Sequence, residues 1–107
     1  MIAQEGILSI GSNDVYVCPS KSVITISKIV FNYSGAYDVL LEIYRASSSS
    51  TNTVYDLSLN AGDTVIDMSE YFLNAGDKLV VTTNALINYN LMGRDNPNII
   101  SPFPYNQ

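Results

Sequence analysis

Short runs of β-branched residues, leucine and tyrosine recur along the chain, separated by clusters of turn-forming residues. Within the runs, apolar and polar residues alternate, which makes one face of an extended segment apolar. The alternation is clearest in two successive runs, which bring together Val39, Leu41 and Ile43, and Tyr55, Leu57 and Leu59. No segment has the spacing of an amphipathic helix. The pattern predicts an all-β fold, an antiparallel two-sheet β-sandwich of eight to nine strands, jelly-roll or immunoglobulin-like.

The run over residues 22–33 changes its alternation in the middle. Ile24 and Ile26 occupy even positions, whereas the apolar residues after Lys28 occupy odd positions. An extra residue in one strand shifts the alternation in this way, so we predict a β-bulge near Lys28 or two strands meeting at a bend. Before this run, residues 11–14 (GSND) predict a turn. After it, residues 47–52 (SSSSTN) predict a hairpin loop.

The chain of 107 residues fits one domain. We predict the sandwich over residues 1–93, including an N-terminal arm of about residues 1–6. No apolar run approaches the ~20 residues that a membrane-spanning helix needs, and no membrane is expected as a partner. The chain start has no basic residue ahead of its apolar part, so we expect no secretory signal.

Residues 94–107 differ from the rest and predict an extended C-terminal arm. Three prolines, Pro97, Pro102 and Pro104, are incompatible with regular strand pairing. The segment is nevertheless too apolar for a soluble disordered tail. We expect its apolar side chains to pack on their own sandwich or, as the preferred alternative, to bind a neighbouring protein. They are Ile99, Ile100, Phe103 and Tyr105.

The sequence L-N-A-G-D occurs twice, fourteen positions apart. In each copy a leucine ends one strand, and an apolar residue two positions after the aspartate opens the next. Gly62 and Gly76 can adopt positive φ, and Asp63 and Asp77 can accept hydrogen bonds from the backbone of the turn. We therefore predict two structural turns. The alternative is a calcium site, since carboxylates and turn carbonyls are suitable ligands, but the dense acidic pattern of an EF-hand loop is missing.

Candidate catalytic residues are few. Because the chain has no histidine, acid–base chemistry would rest on carboxylates, lysine or tyrosine. Asp67 and Glu70 could be imagined as a hydrolytic pair, but we interpret them as solvated residues at a sheet edge. Cys18 is the only cysteine, and its apolar neighbours predict a buried thiol rather than a nucleophile. We expect no catalytic residue, no cofactor and no bound metal.

The eight tyrosines and the charge bear on possible ligands. Tyrosines could form a platform for stacking sugars, but we expect Tyr33, Tyr37, Tyr44 and Tyr55 to divide between the core and the sheet edges. The formal net charge is −5 and the five basic residues are scattered. Nucleic-acid binding needs basic residues clustered on one face, so no nucleic-acid partner is expected.

Residues 22–93 carry an ordered series of motifs. The series runs "ITISKIVFNYSGAYDVLLEIYRA", then a serine-rich loop, then "YDLSLNAGDTVIDMSEYFLNAGDKLVVTTNALINYNLMG". It resembles a group of small virion proteins of tailed bacteriophages, in which a V-x-L-x-I-Y strand and a polar loop precede a doubled L-x-A-G-D element. The resemblance implies a β-sandwich subunit of the particle without catalytic residues, located on the capsid surface, the neck or the tail. Residues from 94 onward fall outside the pattern.

Together, these features predict a non-enzymatic structural component of a bacteriophage particle, assembled in the host cytoplasm. Within that class we favour a capsid decoration (cement) subunit that binds the major capsid protein lattice in several copies. A neck, tail or baseplate accessory subunit is the alternative, with neck or tail proteins as partners, and in either case a homo-oligomer is expected. A second alternative is a carbohydrate- or receptor-binding β-sandwich module.

Overall fold

Nine β-strands and no helix make up residues 1–96, the part of the chain that the computed structural model describes. The strands are β1 Ile2–Ile7, β2 Gly11–Val17, β3 Val23–Asn32, β4 Tyr37–Arg45, β5 Ser50–Leu59, β6 Thr64–Asp67, β7 Tyr71–Asn74, β8 Lys78–Thr83 and β9 Asn88–Asp95. The predicted arm residues Ile99, Ile100, Phe103 and Tyr105 lie outside the described residues.

The strands form two antiparallel sheets that pack face to face. Sheet A has the order β1-β9-β3-β6, with β7 also paired to β3, and sheet B has the order β2-β8-β4-β5. β6 pairs with the second half of β3 and β7 with its first half. The two short strands therefore act as one edge strand that is interrupted at residues 68–70. The predicted all-β sandwich is confirmed.

The strand order distinguishes between the two predicted types of sandwich. With β6 and β7 taken as one interrupted strand, six of the seven connections cross from one sheet to the other, and only β4 to β5 stays within a sheet. An immunoglobulin-like sandwich joins several consecutive strands within the same sheet. Two four-stranded sheets joined mainly by crossing connections form a jelly roll.

The core lies between the sheets and is formed by the inward positions of the long strands. In β4, for example, Val39, Leu41 and Ile43 are buried while the residues between them face outward, as the alternation predicts. Each fully buried side chain of this size stabilises the fold by roughly 1.5–3 kcal/mol. Inward residues of β3 and β8 complete the centre of the core: Ile24, Ile26, Ile29, Phe31, Leu79 and Val81.

The predicted bulge in β3 is present. Ile26 pairs with Gly93 of β9 and Lys28 pairs with Met92, so Ser27 is the extra residue. This single insertion explains why inward residues change from even to odd positions along β3. At the bulge β9 approaches closely, since a Cβ on Gly93 would lie 2.6 Å from the carbonyl oxygen of Thr25. Only glycine fits there without a backbone shift.

Residues 1–6 do not form the predicted arm. They belong largely to β1, which pairs with β9 from Ile2–Gly93 to Ile7–Asn88. The strand was missed because its inward position 4 is polar: the side-chain amide of Gln4 donates to the carbonyl of Val15 in the opposite sheet at 2.9 Å. Without an apolar residue there, the alternation that identifies a strand is absent.

Two predicted loop boundaries also differ from the structure. Residues 11–14 belong to β2 rather than to a turn, and Asn13 stabilises the preceding reversal from within the strand by bonding both backbone groups of Ser9. The loop predicted over residues 47–52 is shorter, because β5 begins at Ser50. β9 reaches Asp95, two residues past the predicted domain limit.

Candidate functional site

The two L-N-A-G-D copies form the same turn. Gly62 has φ 83° and Gly76 has φ 86°. The carboxylate of Asp63 accepts from the backbone N–H of the asparagine three residues earlier at 3.0 Å, and Asp77 does the same at 2.9 Å. In each copy the aspartate N–H also donates back to that asparagine's carbonyl. The asparagine, glycine and aspartate of each copy are thus used to reverse the chain.

The two turns lie at opposite ends of the sandwich. The first carries the chain from β5 in sheet B to β6 in sheet A, and the second carries it from β7 back to β8. The N–H of Gly62 donates to the carbonyl of Tyr33, and that of Gly76 donates to Cys18, which ties each turn to a neighbouring connection. Because Asp63 and Asp77 are at opposite ends, they cannot share one ligand. Within residues 1–96, no three acidic or cysteine side chains are grouped as metal ligands.

The second turn has an additional function in packing. Asp77 is buried, and its carboxylate accepts from the N–H of Ala46 at 2.9 Å and from Arg45 Nη1 at 2.9 Å, in addition to the Asn74 N–H within the turn. Burial opposes ionisation, but these donors outweigh it and hold the pKa of Asp77 below its usual value. The turn between β7 and β8 is thereby fastened to the hairpin between β4 and β5.

Asp67 and Glu70 lie in different environments, and the interpretation of Asp67 as a solvated residue is wrong. Asp67 is buried at the interruption between β6 and β7, where it accepts from Tyr71 Oη at 2.6 Å and from the Ser69 N–H at 2.9 Å. Burial opposes ionisation, yet these bonds hold the pKa of Asp67 below its usual value. Glu70 is exposed and pairs with Arg94 at 3.2 Å.

Two tyrosines share the environment of Asp67. Burial, followed by the bond to Asp67, raises the pKa of Tyr71 to about 12. Burial and the same carboxylate also raise the pKa of Tyr55. Tyr55 Oη lies close enough to Asp67 for the two groups to affect each other's ionisation. It nevertheless forms no hydrogen bond of regular geometry with any residue from 1 to 96. The neutral phenols of Tyr55 and Tyr71 around the ionised carboxylate of Asp67 stabilise the side of the sandwich where the edge strands β5 and β6 lie. Neither phenol titrates near neutral pH.

The other tyrosines within residues 1–96 serve mainly in packing. Tyr37 is buried and donates to the carbonyl of Asp63 at 2.7 Å, and its ring meets Tyr33 edge to face with centroids 6.1 Å apart. Tyr44 faces outward from sheet B beneath Lys78, whose amine lies 5.5 Å from the ring centroid. Tyr16 and Tyr89 pack against the core from partly buried positions.

Cys18 is a buried thiol, as the sequence predicts. Burial raises its pKa, and its Sγ lies 3.5 Å from the carbonyl oxygens of Ser22 and Leu73. A protonated thiol that donates to carbonyls in the interior is a packing group and a poor nucleophile.

The outer face of sheet A exposes apolar side chains that sequence analysis did not single out. Outward positions follow from the buried ones by alternation. Ile66 is 62% exposed, Met68 65% and Phe72 57%, and all three lie along the interrupted edge strand. Ile7 of β1 is 67% exposed at the opposite edge. Several exposed apolar side chains along one edge of a sheet face favour contact with a partner.

A shallow polar depression lies on the same face, at its β1 end. It has a volume of about 410 Å³ and is lined in part by Glu5, Val30, Asn32, Asn88 and Asn90. Asn88 donates to Asn32 at 3.1 Å and Asn90 to Glu5 at 3.4 Å. Asparagine is depleted in strands, so three of them side by side on β3 and β9 depart from what sheet stability alone would select.

The outer face of sheet B has a different character. Its outward positions carry Asp14, Asp38, Glu42 and Asp56 against one amine, Lys78, which gives a charge of −3. On sheet A the outward charges are Glu5 and Glu70 against Lys28 and Arg94, which sum to zero. One broad face of the protein is therefore acidic and the other is neutral and partly apolar.

No protein-family model matches the chain. No curated protein matches it significantly, and no solved structure does so. Residues 1–96 contain no helix with the length and apolar character required to cross a membrane.

Proposed function

We propose that this chain is a non-enzymatic structural subunit of a bacteriophage particle, specifically a capsid decoration subunit that binds the major capsid protein lattice. The observation that carries the proposal is the apolar outer face of sheet A, where Ile66, Met68 and Phe72 are each more than half exposed. Such a face is costly in water and favours permanent contact with a protein surface. The doubled L-N-A-G-D motif supports the phage assignment through the resemblance described above.

The interior fits a protein that contributes shape rather than chemistry. Its buried carboxylates, Asp67 and Asp77, are held ionised by fixed donors, and Cys18 is inaccessible. These groups rigidify one end of the sandwich and the side where the edge strands β5 and β6 lie. A rigid jelly roll with one neutral, partly apolar face suits binding in many copies to a repeated surface, where weak individual contacts add up.

Two features of the proposal rest on the sequence. Homo-oligomer formation on the particle is expected, and the arm residues Ile99, Ile100, Phe103 and Tyr105 are proposed to add contacts to a neighbouring virion protein. A neck, tail or baseplate position is the alternative within the same class. The particle is proposed as the final location, reached by assembly in the host cytoplasm.

Imaging of the particle tests the proposal. Particles from a phage carrying this gene and from an isogenic deletion would be compared by electron cryomicroscopy, then incubated with the purified chain. We expect density over joints between major capsid proteins that disappears on deletion and returns on incubation. Density at the neck or tail would favour the alternative position. Particles identical with and without the gene would refute a structural role.

A carbohydrate-binding module is the second candidate function, favoured by the asparagine-lined depression on sheet A. Side-chain amides and a carboxylate can bond paired hydroxyl groups of a sugar. A glycan array probed with the parent chain and with an Asn32→Ala, Asn90→Ala double variant tests it. Binding that is lost in the double variant would place recognition ahead of decoration. An array without hits leaves decoration as the better account.

A further inference from the structure

We infer that the protein docks through the outer face of sheet A, and that its partner there is a protein surface with an apolar patch and a carboxylate opposite Lys28. The inference rests on the proposed function, since it specifies how the subunit meets the particle.

Lys28 lies on β3, in the middle of the outer face of sheet A. Lys28 pairs with Met92 of β9, which pairs with Ala3 of β1, so one row across sheet A reads Ala3, Met92, Lys28. On the other side of β3, Met68 follows directly after Asp67, which pairs with Ile29. The side chain of Lys28 therefore lies in the middle of the face, between methionines. Methionine adapts its shape to a partner and is common at binding surfaces.

The other charges of this face already have partners. Arg94 pairs with Glu70 at 3.2 Å, and Glu5 accepts from Asn90 at 3.4 Å. Within residues 1–96, Lys28 takes part in no ion pair. A partner that covers the face would remove Lys28 from water, and an unpaired buried ammonium is strongly unfavourable. A stable contact therefore requires a carboxylate opposite it.

A second copy of the chain does not meet this requirement. Two sheet A faces packed about a two-fold axis through their centre would bring Lys28 against Lys28. A face-to-face dimer of this kind would therefore be repulsive at its centre.

Lipid and nucleic acid fit the charges no better. Both present dense negative charge, and the chain carries a net charge of −5, of which the outer face of sheet B holds −3. One lysine does not overcome that repulsion. A folded protein surface can place a single carboxylate at the centre of an apolar patch. Docking through sheet A then turns the acidic sheet B outward, where it discourages a second layer from stacking.

Binding of variants to particles that lack the protein tests the inference. Full-length Lys28→Glu and Phe72→Ser would be compared with two matched controls, Lys21→Glu at an exposed loop and Val17→Ser on the outer face of sheet B. We expect Lys28→Glu and Phe72→Ser each to weaken binding at least tenfold, with the controls within threefold of the parent. Melting temperatures of all four verify that folding is unaffected.

Each outcome bears on the proposal. Restoration of Lys28→Glu binding by an Asp→Lys or Glu→Lys change in the capsid protein would establish the charge pair. Parental binding by both Lys28→Glu and Phe72→Ser would overturn the docking face while leaving the virion role intact. Dimers that Phe72→Ser dissociates, or phosphatidylglycerol vesicles that bind through the same residues, would overturn the inferred partner. A parent that binds no particle would overturn the virion role and the docking face with it.

Discussion

Arg45 Nη1 donates to Asp77 Oδ2 at 2.9 Å and to the carbonyl of Phe72 at 2.6 Å, so one guanidinium joins the β4–β5 hairpin to both ends of the β7–β8 reversal. Asp77 is the acceptor on which this end of the sandwich depends. Its side chain is only 3% exposed and also accepts from two backbone N–H groups. Asp63, at the same place in the first turn, is exposed and accepts from one.

This asymmetry predicts that Asp77→Ala destabilises the protein far more than Asp63→Ala. Removing Asp77 leaves Arg45 and two backbone donors without their acceptor, which should cost about 3–5 kcal/mol. Asp63→Ala should cost only about 0.5–1.5 kcal/mol, because water can replace the single bond. Urea unfolding measures both. Equal losses would mean that the bonds from Arg45 and Ala46 to Asp77 add nothing to the stability of the fold.

Acid should unfold the protein through its two buried carboxylates. The folded pKa values of Asp67 and Asp77 are lowered, so the unfolded chain takes up protons first as pH falls. Their contribution to stability is present above about pH 4, the ordinary range for aspartate, and is lost as pH falls through the folded values. Urea unfolding between about pH 2 and about pH 7 should show this slope. In Asp77→Asn the slope should be shallower.

The sequence predicted correctly the features that depend on the alternation within a single strand. The alternation of β4 and the displaced alternation around Lys28 both depend on neighbours in the sequence, and the structure confirms them. The strand β1 was missed because its inward Gln4 reads as a polar segment, although its amide is satisfied by Val15 of the opposite sheet. Only tertiary contact makes that position compatible with the interior.

The features missed at the candidate sites are tertiary in the same sense. Asp67 is buried because Tyr71 follows it around the strand interruption and Tyr55 covers it from sheet B. Gly93 is required because the bulge in β3 brings the carbonyl of Thr25 against it. Nor does the sequence reveal that Ile66 and Phe72 face outward, since alternation gives two faces without saying which is buried.

Gly76→Ala should destabilise the protein more than Gly62→Ala. Both residues have positive φ, which alone costs an alanine roughly 1–2 kcal/mol. A Cβ at Gly76 would also lie 3.0 Å from the Cβ of Ala46, whereas nothing lies within 4 Å of one at Gly62. Ala46→Gly in the Gly76→Ala background should remove the excess, as measured by urea unfolding. Two equal glycine effects would exclude crowding by Ala46.

Alkaline pH should destabilise the protein through Tyr71. Its folded pKa is raised from 10.0 to about 12, so the neutral phenol is favoured by folding. Stability from this group is complete below about pH 10 and is lost as pH rises toward about 12. Phenolate absorbance should show a tyrosine that titrates only with unfolding, and Tyr71→Phe should remove that component. A tyrosine signal unchanged in Tyr71→Phe would assign the late titration elsewhere, with Tyr55 as the next candidate.

The bond between Tyr71 and Asp67 should stabilise the fold, whereas the nearby Glu70 should not. Tyr71→Phe removes a 2.6 Å donor to a buried carboxylate, which should cost about 1.5–3 kcal/mol at neutral pH. Glu70→Gln changes an exposed residue whose ion pair with Arg94 is solvated, and should change stability by less than about 1 kcal/mol. A double-mutant cycle of Tyr71→Phe with Asp67→Asn isolates the pair, and we expect a coupling of at least about 1 kcal/mol. Additive losses would show that Asp67 draws its stabilisation from the Ser69 N–H instead.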